Sequence, residues 1–215
     1  MLRLQPGDDI TLFDGSGGEW HARIDVIGRS AVSVHLIEHV ATTRELPFEI
    51  TLAMGMPAND RMDGVIEKAT ELGVTAIQPL TCERSVLRLA GERADKKVTH
   101  WQAVAASASE QCGRTRVPAV HPVRTLSQWL ADLSPDDTQI RQVLSLREDR
   151  RWQPIAAPGR HLLYLSGPEG GLSEAEERSA LNAGFEPASL GPRVLRADTA
   201  PLAVLAALAL QPESF

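Results

Sequence analysis

The stretch Ser166-Gly167-Pro168-Glu169-Gly170-Gly171-Leu172 carries most of the fold prediction, because it joins two clear secondary-structure patterns. The apolar run Leu162–Leu165 before it is typical of a buried strand, and Ser173–Glu176 after it has the spacing of a capping box that opens a helix. Three glycines and a proline between a strand and a helix allow the backbone to approach a ligand closely. By itself this 166–172 loop is equally consistent with a ligand site and with a tight turn that binds nothing.

A second loop of the same kind spans Leu190–Ala200 and reads Leu-Gly-Pro-Arg-Val-Leu-Arg-Ala-Asp-Thr-Ala. It follows another strand-like run and precedes a strongly apolar helix, which Asp198 or Thr199 is expected to cap. Arg193 and Arg196 in this 190–200 loop either serve a ligand or add solubility and pair with Asp198. Ligands of parallel α/β folds bind beyond the carboxyl ends of the strands, so two Gly-Pro loops at strand ends predict one shared site.

The charge around the first loop indicates what kind of ligand this site would take. A helix N-terminus after a glycine-rich turn usually favours phosphate. Here four carboxylates would repel a di- or triphosphate, and no lysine follows the glycines as it does in a Walker motif. A neutral or cationic ligand held by backbone groups fits better, and S-adenosylmethionine, with its sulfonium, is such a ligand. The four carboxylates belong to Glu169, Glu174, Glu176 and Glu177.

Strand-like and helical patterns alternate from Phe48 onwards, which predicts an α/β fold with a mostly parallel sheet covered on both faces. The first helix is expected to be capped by Asn59 or Asp60 and ended by Gly73, and a second helix is marked by the apolar positions around Trp101. The predicted strands are Glu49–Met54, Thr75–Leu80, Gln142–Leu146, His161–Ser166 and Phe185–Leu190.

The N-terminal part reads as short strands instead. Apolar and polar residues alternate from Trp20 to Val26, and Val32, Val34 and Leu36 repeat the pattern of a half-buried strand. Asp14–Gly18 between strand-like runs predicts a hairpin turn whose glycines adopt positive φ angles. We therefore expect a small β domain at residues 1–46 and an α/β domain at residues 47–215.

Composition excludes several classes of protein. The 43% of hydrophobic residues is ordinary for a globular chain, and the apolar run Pro201–Leu210 is too short for a membrane helix. A net charge of −6 argues against coating nucleic acid through bulk charge, although residues 81–116 hold seven Lys or Arg and four Asp or Glu. Cys82 and Cys112 are lone thiols, which indicates a reducing, cytosolic setting. The pair His35 and His39 lacks a third ligand, so no metal site is expected.

Together these motifs resemble those of the SPOUT-superfamily ribosomal RNA uridine-N3 methyltransferases (RsmE family), and the similarity extends over most of the chain. Three features depart from the family: Ala58-Asn59 stands where a lysine is common, Asp198 replaces a glutamate, and Leu144–Asp149 matches poorly and is given no cofactor role. The motifs that carry the resemblance are the two loops together with Met62-Asp63, Glu67–Val74, Glu83-Arg84-Ser85, Lys96-Lys97, His100-Trp101-Gln102 and Glu110–Arg114.

The resemblance implies a fold, an activity and partners. The fold would be a trefoil-knotted SPOUT methyltransferase domain with a small PUA-like β-barrel domain, from which an N-terminal strand is missing here. The activity would be S-adenosylmethionine-dependent methylation of N3 of a specific uridine in 16S, small-subunit ribosomal RNA, free or in an assembled 30S-type particle, by a cytoplasmic homodimer. A SPOUT methyltransferase acting on tRNA and a non-catalytic RNA-binding adaptor are the alternatives. The helix at Ala200–Leu210 is either part of the dimer interface or an intrachain core helix.

The resemblance also implies site residues. A uridine N3 methyltransferase must accept the imide proton, for which Glu83, Glu110 and Glu169 are candidates, and must stabilise the flanking carbonyls. Structural ion pairs, Glu83 with Arg84 and Glu110 with Arg114, are the alternative for those motifs. The predicted catalytic residues are Arg84, Glu110, Arg114 and Arg196. The predicted cofactor-binding residues are Leu165, Ser166, Gly167, Pro168, Glu169, Gly170, Gly171, Leu190, Gly191, Arg193, Val194, Leu195, Arg196, Thr199 and Ala200. The predicted RNA-binding residues are Arg84, Arg88, Lys96, Lys97, Arg114 and Arg116.

Overall fold

The computed structural model describes residues 4–58, 61–146, 151–155 and 158–211. The chain divides into two compact units. The small unit comprises Met1–Glu45 and Ser109–Val117, and the large unit comprises Leu46–Ala108 and Pro118–Phe215.

The small unit contains a three-stranded antiparallel sheet of β1 (Asp9–Leu12), β2 (Glu19–Ile27) and β3 (Val32–Val40), in that order. The β1–β2 connection uses positive φ angles at all three of its glycines, as predicted for Asp14–Gly18. The predicted burial of β3 is wrong, however, since Val32 is 54% and Leu36 49% exposed. The reason is that β3 is an edge strand, with β2 as its one neighbour among the strands that the structure describes.

The large unit is built on a sheet whose described pairings are all parallel, which confirms the predicted sheet. The order is β10-β8-β9-β4-β5-β6, with β7 also paired to β5. All residues of Leu162–Ser166 are buried, so the centre of this sheet is covered on both faces. The strands are β4 (Glu49–Gly55), β5 (Ala76–Thr81), β6 (Ala119–Val120), β7 (Arg124–Thr125), β8 (Gln139–Leu144), β9 (His161–Ser166) and β10 (Glu186–Ala188).

Five helices are described: α1 (Arg61–Glu71), α2 (Gly91–Cys112), α3 (Leu126–Ala131), α4 (Glu174–Asn182) and α5 (Thr199–Ala209). Gly73 follows α1 with φ +89°, and the next N–H closes back on the carbonyl of Ala69 at 3.0 Å, as expected of a helix-ending glycine. The expected caps of α1, Asn59 and Asp60, lie outside the described residues.

The sequence predicted capping residues for the last two helices, α4 and α5, and the structure shows a capping hydrogen bond only at α4. The capping box of α4 is present, with Ser173 and Glu176 each accepting the other's backbone N–H. Asp198 is the cap residue of α5, as expected, but it makes no side-chain capping hydrogen bond, and Thr199 is the first helical residue. The Asp198 carboxylate lies 4.0 Å from Arg61 Nη1 instead.

Candidate active site

A cavity of about 550 Å³ lies beyond the carboxyl ends of β8, β9 and β10, a volume in the usual range for small-molecule sites. The structure brings the two Gly-Pro loops together in its wall, as the sequence predicted. Sequence reasoning assigned no cofactor role to Leu144–Asp149. In the structure, however, Leu144–Leu146 at the carboxyl end of β8 also line the cavity. So do Arg61 and Glu177.

Most residues predicted to bind the cofactor line this cavity. The exceptions among them are Leu165, which is fully buried in the sheet, and Gly191 and Thr199. Thr199 lines a separate groove between α1 and α5. The predicted residues in the wall are Ser166, Gly167, Pro168, Glu169, Gly170, Gly171, Leu190, Arg193, Val194, Leu195, Arg196 and Ala200.

The 166–172 loop folds back tightly on itself. The N–H of Gly171 donates to the carbonyl of Pro168 at 2.8 Å, and Gly171 has φ +66°. A β-carbon on Gly167 would stand 2.7 Å from the backbone nitrogen of Leu172, closer than real contacts allow. Glycine at 167 therefore permits the two limbs of the loop to cross.

Neighbouring segments contact this loop from outside. Arg84 Nη1 donates to the carbonyls of Gly170 at 2.9 Å and Leu172 at 3.3 Å. The N–H of Ala58 donates to Glu169 Oε1 at 2.8 Å. Ala58 follows β4, the neighbour of β9 in the sheet, and Arg84 follows β5, the next strand beyond β4. The order of the strands therefore brings both residues close to the loop that follows β9.

The four glutamates that crowd this region have different positions. Glu176 is used in the capping box and also accepts the N–H of Glu83 at 2.8 Å. Glu174 is exposed and is not part of the cavity wall. Glu169 and Glu177 do line the cavity, and the hydroxyl of Ser145 donates to Glu177. The cavity thus combines two carboxylates with arginines of the 190–200 loop.

These residues fit S-adenosylmethionine. The carboxylate of Glu177 suits its amino group or sulfonium, whereas Arg193 suits its carboxylate. The glycines of the 166–172 loop carry no side chain, so the adenosyl part can approach the main chain there. The wall is also more apolar than polar, as small-molecule sites are.

The 190–200 loop is fixed by its own backbone before α5 begins. The carbonyl of Arg196 accepts the N–H groups of Thr199 and Ala200, each at 3.0 Å. The side chains of Arg193 and Arg196 are exposed at the cavity wall. Asp198 pairs with Arg61, and the structure describes no contact between Asp198 and either of these two arginines. The alternative in which Arg193 and Arg196 pair with Asp198 is therefore not what the structure shows.

The other predicted RNA-binding residues of the large unit lie on or before α2. Arg88 is exposed and donates to the carbonyl of Glu83 at 3.0 Å. Lys96 is exposed and lies 3.8 Å from Glu92, one turn earlier. Lys97 is also on α2, and its charge helps to lower the pKa of Asp63.

The motif around His100 and Trp101 joins α2 to α1. His100 Nε2 lies 2.7 Å from one Asp63 carboxylate oxygen, and Trp101 Nε1 donates to the other at 3.0 Å. Burial raises the pKa of Asp63, but hydrogen bonds from His100 and Trp101 outweigh this effect and leave the pKa below its usual value. This motif therefore fixes the helix that presents Lys96 and Lys97.

Three predicted site residues belong to the small unit. Arg114 is only 4% exposed and forms a two-point ion pair with Glu45, so it is not exposed for an RNA phosphate as predicted. The physical reason is that a buried guanidinium needs a counter-charge close to it, which the partly buried Glu45 supplies. Glu110 and Arg116 are exposed, and Arg116 bridges to the turn at Gly15.

Neither cysteine has the features of a nucleophile. Burial, followed by the charge of Glu176, raises the pKa of the Cys82 thiol to about 12. Cys112 is half-buried and its sulfur lies 3.7 Å from the carbonyl of Ser109.

Within the described ranges, no group of three His, Cys, Asp or Glu could hold a metal ion. The helices in the same ranges are also too short or too polar to cross a membrane.

Comparisons with known proteins agree with this geometry. Residues 44–209 match the RNA methyltransferase domain family, and residues 2–37 match the RNA methyltransferase PUA domain. The ribosomal RNA small subunit methyltransferase E of Bacillus subtilis is 34% identical over 99% of this chain and 86% of its own. The enzyme of that name from Neisseria gonorrhoeae, solved with S-adenosyl methionine, is 39% identical with a TM-score of 0.88, over 96% of this chain and 84% of its own. A Legionella pneumophila methyltransferase solved with the same cofactor is 34% identical with a TM-score of 0.87, over 96% of this chain and 84% of its own. The chain therefore belongs to the ribosomal RNA small subunit methyltransferase E family.

Proposed function

We propose that this enzyme transfers a methyl group from S-adenosylmethionine to N3 of a specific uridine in 16S ribosomal RNA. The observation that carries the proposal is the convergence of the 166–172 and 190–200 loops on one cavity with carboxylates and arginines in its wall. The membership of the chain in a family of small-subunit ribosomal RNA methyltransferases supports the substrate. Such a substrate places the reaction in the cytoplasm.

The chemistry requires orientation above all. The cofactor supplies an electrophilic methyl carbon on a sulfonium. Holding two reactants in line contributes roughly 7–11 kcal/mol, whereas a general base adds about 10²–10⁴ in rate, or roughly 3–5 kcal/mol. Rigid loops that hold both partners therefore matter more than any one proton acceptor.

The cavity wall offers candidates for the remaining roles. N3 carries a proton between two carbonyls, and both carbonyls gain charge as the proton leaves. Arg196, whose exposed side chain lies in the cavity wall, would donate to these oxygens. Glu169 is the proton-acceptor candidate that lines the cavity, and its other contacts, with Ala58 and Arg61, hold the carboxylate in place.

RNA binding needs a second set of contacts. N3 of a paired uridine is occupied by its own hydrogen bond, so the target base must be unpaired or flipped out. Arg88, Lys96, Lys97 and Arg116 would bind phosphates, a salt-dependent contribution that positions the RNA without reading its sequence. An RNA segment of 16S ribosomal RNA, free or within a 30S-type particle, is the proposed partner.

The finer features of the fold belong to the same proposal. We infer a PUA-like barrel domain at residues 1–46 and a trefoil-knotted domain at residues 47–215. The three-stranded antiparallel sheet of the small unit supports the former, together with its PUA domain match. The latter is supported by the convergence of the loops after β8, β9 and β10, followed by α5, which contacts α1 and β9.

A homodimer is the proposed assembly. Helix α5 is apolar around its whole circumference, which is typical of a helix that is covered on every side. Only part of it is buried within the chain, since Leu210 at its end is 75% exposed. A groove of about 670 Å³ runs between α1 and α5, with Val65, Leu72 and Leu202 in its wall. A second copy of the chain would cover this surface.

Three measurements test the proposed function. Calorimetry with S-adenosylmethionine should show binding, and its absence would leave only an RNA-binding adaptor. Methyl transfer should occur on purified small subunits or 16S ribosomal RNA and not on tRNA. Because N3 methylation blocks Watson–Crick pairing, reverse transcription should stop at one uridine. Transfer to tRNA alone would replace the proposed substrate.

A further inference from the structure

The 166–172 loop does not hold its own shape. It contains three glycines, and glycine loses more backbone freedom on ordering than any other residue. The hydrogen bond from the Gly171 N–H to the Pro168 carbonyl is the internal one that the structure describes. Contacts from outside the loop must therefore select the conformation that meets the cofactor.

Arg84 supplies the most extensive of these contacts. Its Nη1 reaches the carbonyls of Gly170 and Leu172, which stand on either side of the positive-φ residue Gly171. Its aliphatic stem lies against Gly170 so closely that a β-carbon there would come within 2.9 Å of Arg84 Cβ. Head group and stem thus both act on the loop.

A second support lies beneath the loop but offers no donor. Gly55 at the end of β4 passes so close to Pro168 that a β-carbon would stand 2.5 Å from Pro168 Cδ. This contact limits how far the loop can descend toward the sheet. Only a directional hydrogen bond fixes where its carbonyls point, and Arg84 provides two.

We propose that Arg84 is a positioning residue, which fixes the carbonyls of the 166–172 loop for the cofactor, rather than a donor to the uracil. The inference rests on the proposed function, because it assigns the loop to S-adenosylmethionine. It replaces the catalytic role predicted from the sequence by one that acts through the loop. Arg84 belongs to the β5–α2 connection, which also carries Arg88, so RNA bound there would act on the same loop.

The test compares Arg84→Met with Arg178→Met. Methionine keeps the stem of Arg84 and removes its donors, whereas Arg178 is an exposed arginine of α4, outside the cavity wall, whose replacement removes the same charge. Arg84→Met should weaken S-adenosylmethionine binding about tenfold and speed amide exchange of residues 169–172 in the cofactor-free protein about tenfold. Arg178→Met should change neither value.

The outcomes separate this inference from the proposed function. Wild-type affinity and exchange in Arg84→Met, with methyl transfer lost, would overturn the inference and return Arg84 to the substrate. If the wild-type protein itself binds no S-adenosylmethionine, the proposed function fails, while exchange of the loop still decides whether Arg84 holds it. Should Arg84→Met not fold, Arg84→Lys should show a smaller loss of affinity, since an ammonium keeps the charge without the planar fork; wild-type affinity and exchange in Arg84→Lys would overturn the inference.

Discussion

Replacing Gly167 with alanine should damage the cofactor loop while leaving the rest of the fold in place. Gly167 does not have a positive φ, so alanine meets no backbone strain of its own. Its β-carbon would, however, stand 2.7 Å from the nitrogen of Leu172 and 2.9 Å from the carbonyl carbon of Gly171. Ordinary contacts begin at 3.4 Å, so the limbs must separate by about 0.7 Å, and the obstacle is backbone that no rotamer change can move.

The expected size follows from overpacking. Inserting a carbon into a closed contact destabilises by about 1–3 kcal/mol. A chain of this length loses roughly 2–4 °C of Tm per kcal/mol, so Tm should fall by about 2–12 °C. If the strain is relieved by opening the loop, the same 1–3 kcal/mol weakens S-adenosylmethionine binding by about 5–150-fold.

Thermal unfolding and calorimetry would check both values, with Gly64→Ala as the matched control. Gly64 lies within α1, has no positive φ, and a β-carbon on it meets nothing within 4 Å. Gly64 lines the groove between α1 and α5 and not the cofactor cavity, so that substitution should leave the cofactor affinity unchanged. Wild-type affinity in Gly167→Ala would refute the assignment of this loop to the cofactor.

Four further predictions address two arginines, one lysine and one histidine. Arg196→Ala should lower methyl transfer by about 10²–10³-fold with Tm nearly unchanged, because the exposed side chain contributes little packing; a matching loss of Tm would make its role structural. Arg114→Met should lower the free energy of unfolding by about 1–3 kcal/mol, because the partly buried Glu45 carboxylate loses its partner; unchanged stability would contradict the structural role of this pair. Lys96→Ala should leave Tm unchanged and reduce the salt dependence of RNA binding. Burial lowers the pKa of His161, so the unfolded chain takes up a proton at a higher pH than the folded chain does. The free energy of unfolding should therefore fall as the pH drops below about 6.5. In Tm measured from about pH 8 to 5, His161→Gln should remove this contribution.

Local chemistry explains which elements could be predicted from the sequence. The α4 capping box depends on two residues three positions apart, and Gly73 ends α1 through its own φ angle. The bounds of β9, His161–Ser166, are those predicted. The apolar run Leu162–Leu165 marks the strand, and Gly167 and Pro168 directly after Ser166 mark its end. These signals require no knowledge of distant residues.

Contacts between distant residues explain what could not be predicted. Arg114 lies 69 positions from Glu45, and nothing in the sequence around either residue specifies that partner. Leu144–Leu146 line the cavity because β8 lies beside β9, a neighbour relation that follows from strand order rather than from local pattern. Arg61 lines the cavity because it begins α1, the helix after β4, and β4 lies on the other side of β9. The rule that ligands bind at strand ends located the site without naming these residues.

The two loops are held by different kinds of contact, which implies a division of labour between them. The 166–172 loop is held from outside through Arg84 and Gly55, so its carbonyls and amides are fixed before any ligand arrives. The 190–200 loop is held at its two ends, by the N–H of Gly191 on Ser189 Oγ and by the carbonyl of Arg196 and the Asp198–Arg61 pair, and leaves long, exposed side chains at the cavity wall. Preorganised main-chain groups suit a cofactor that is the same in every turnover, because their ordering is complete before binding. An exposed guanidinium that can adjust its position, such as that of Arg196, suits the uridine that the RNA must deliver and withdraw in each cycle.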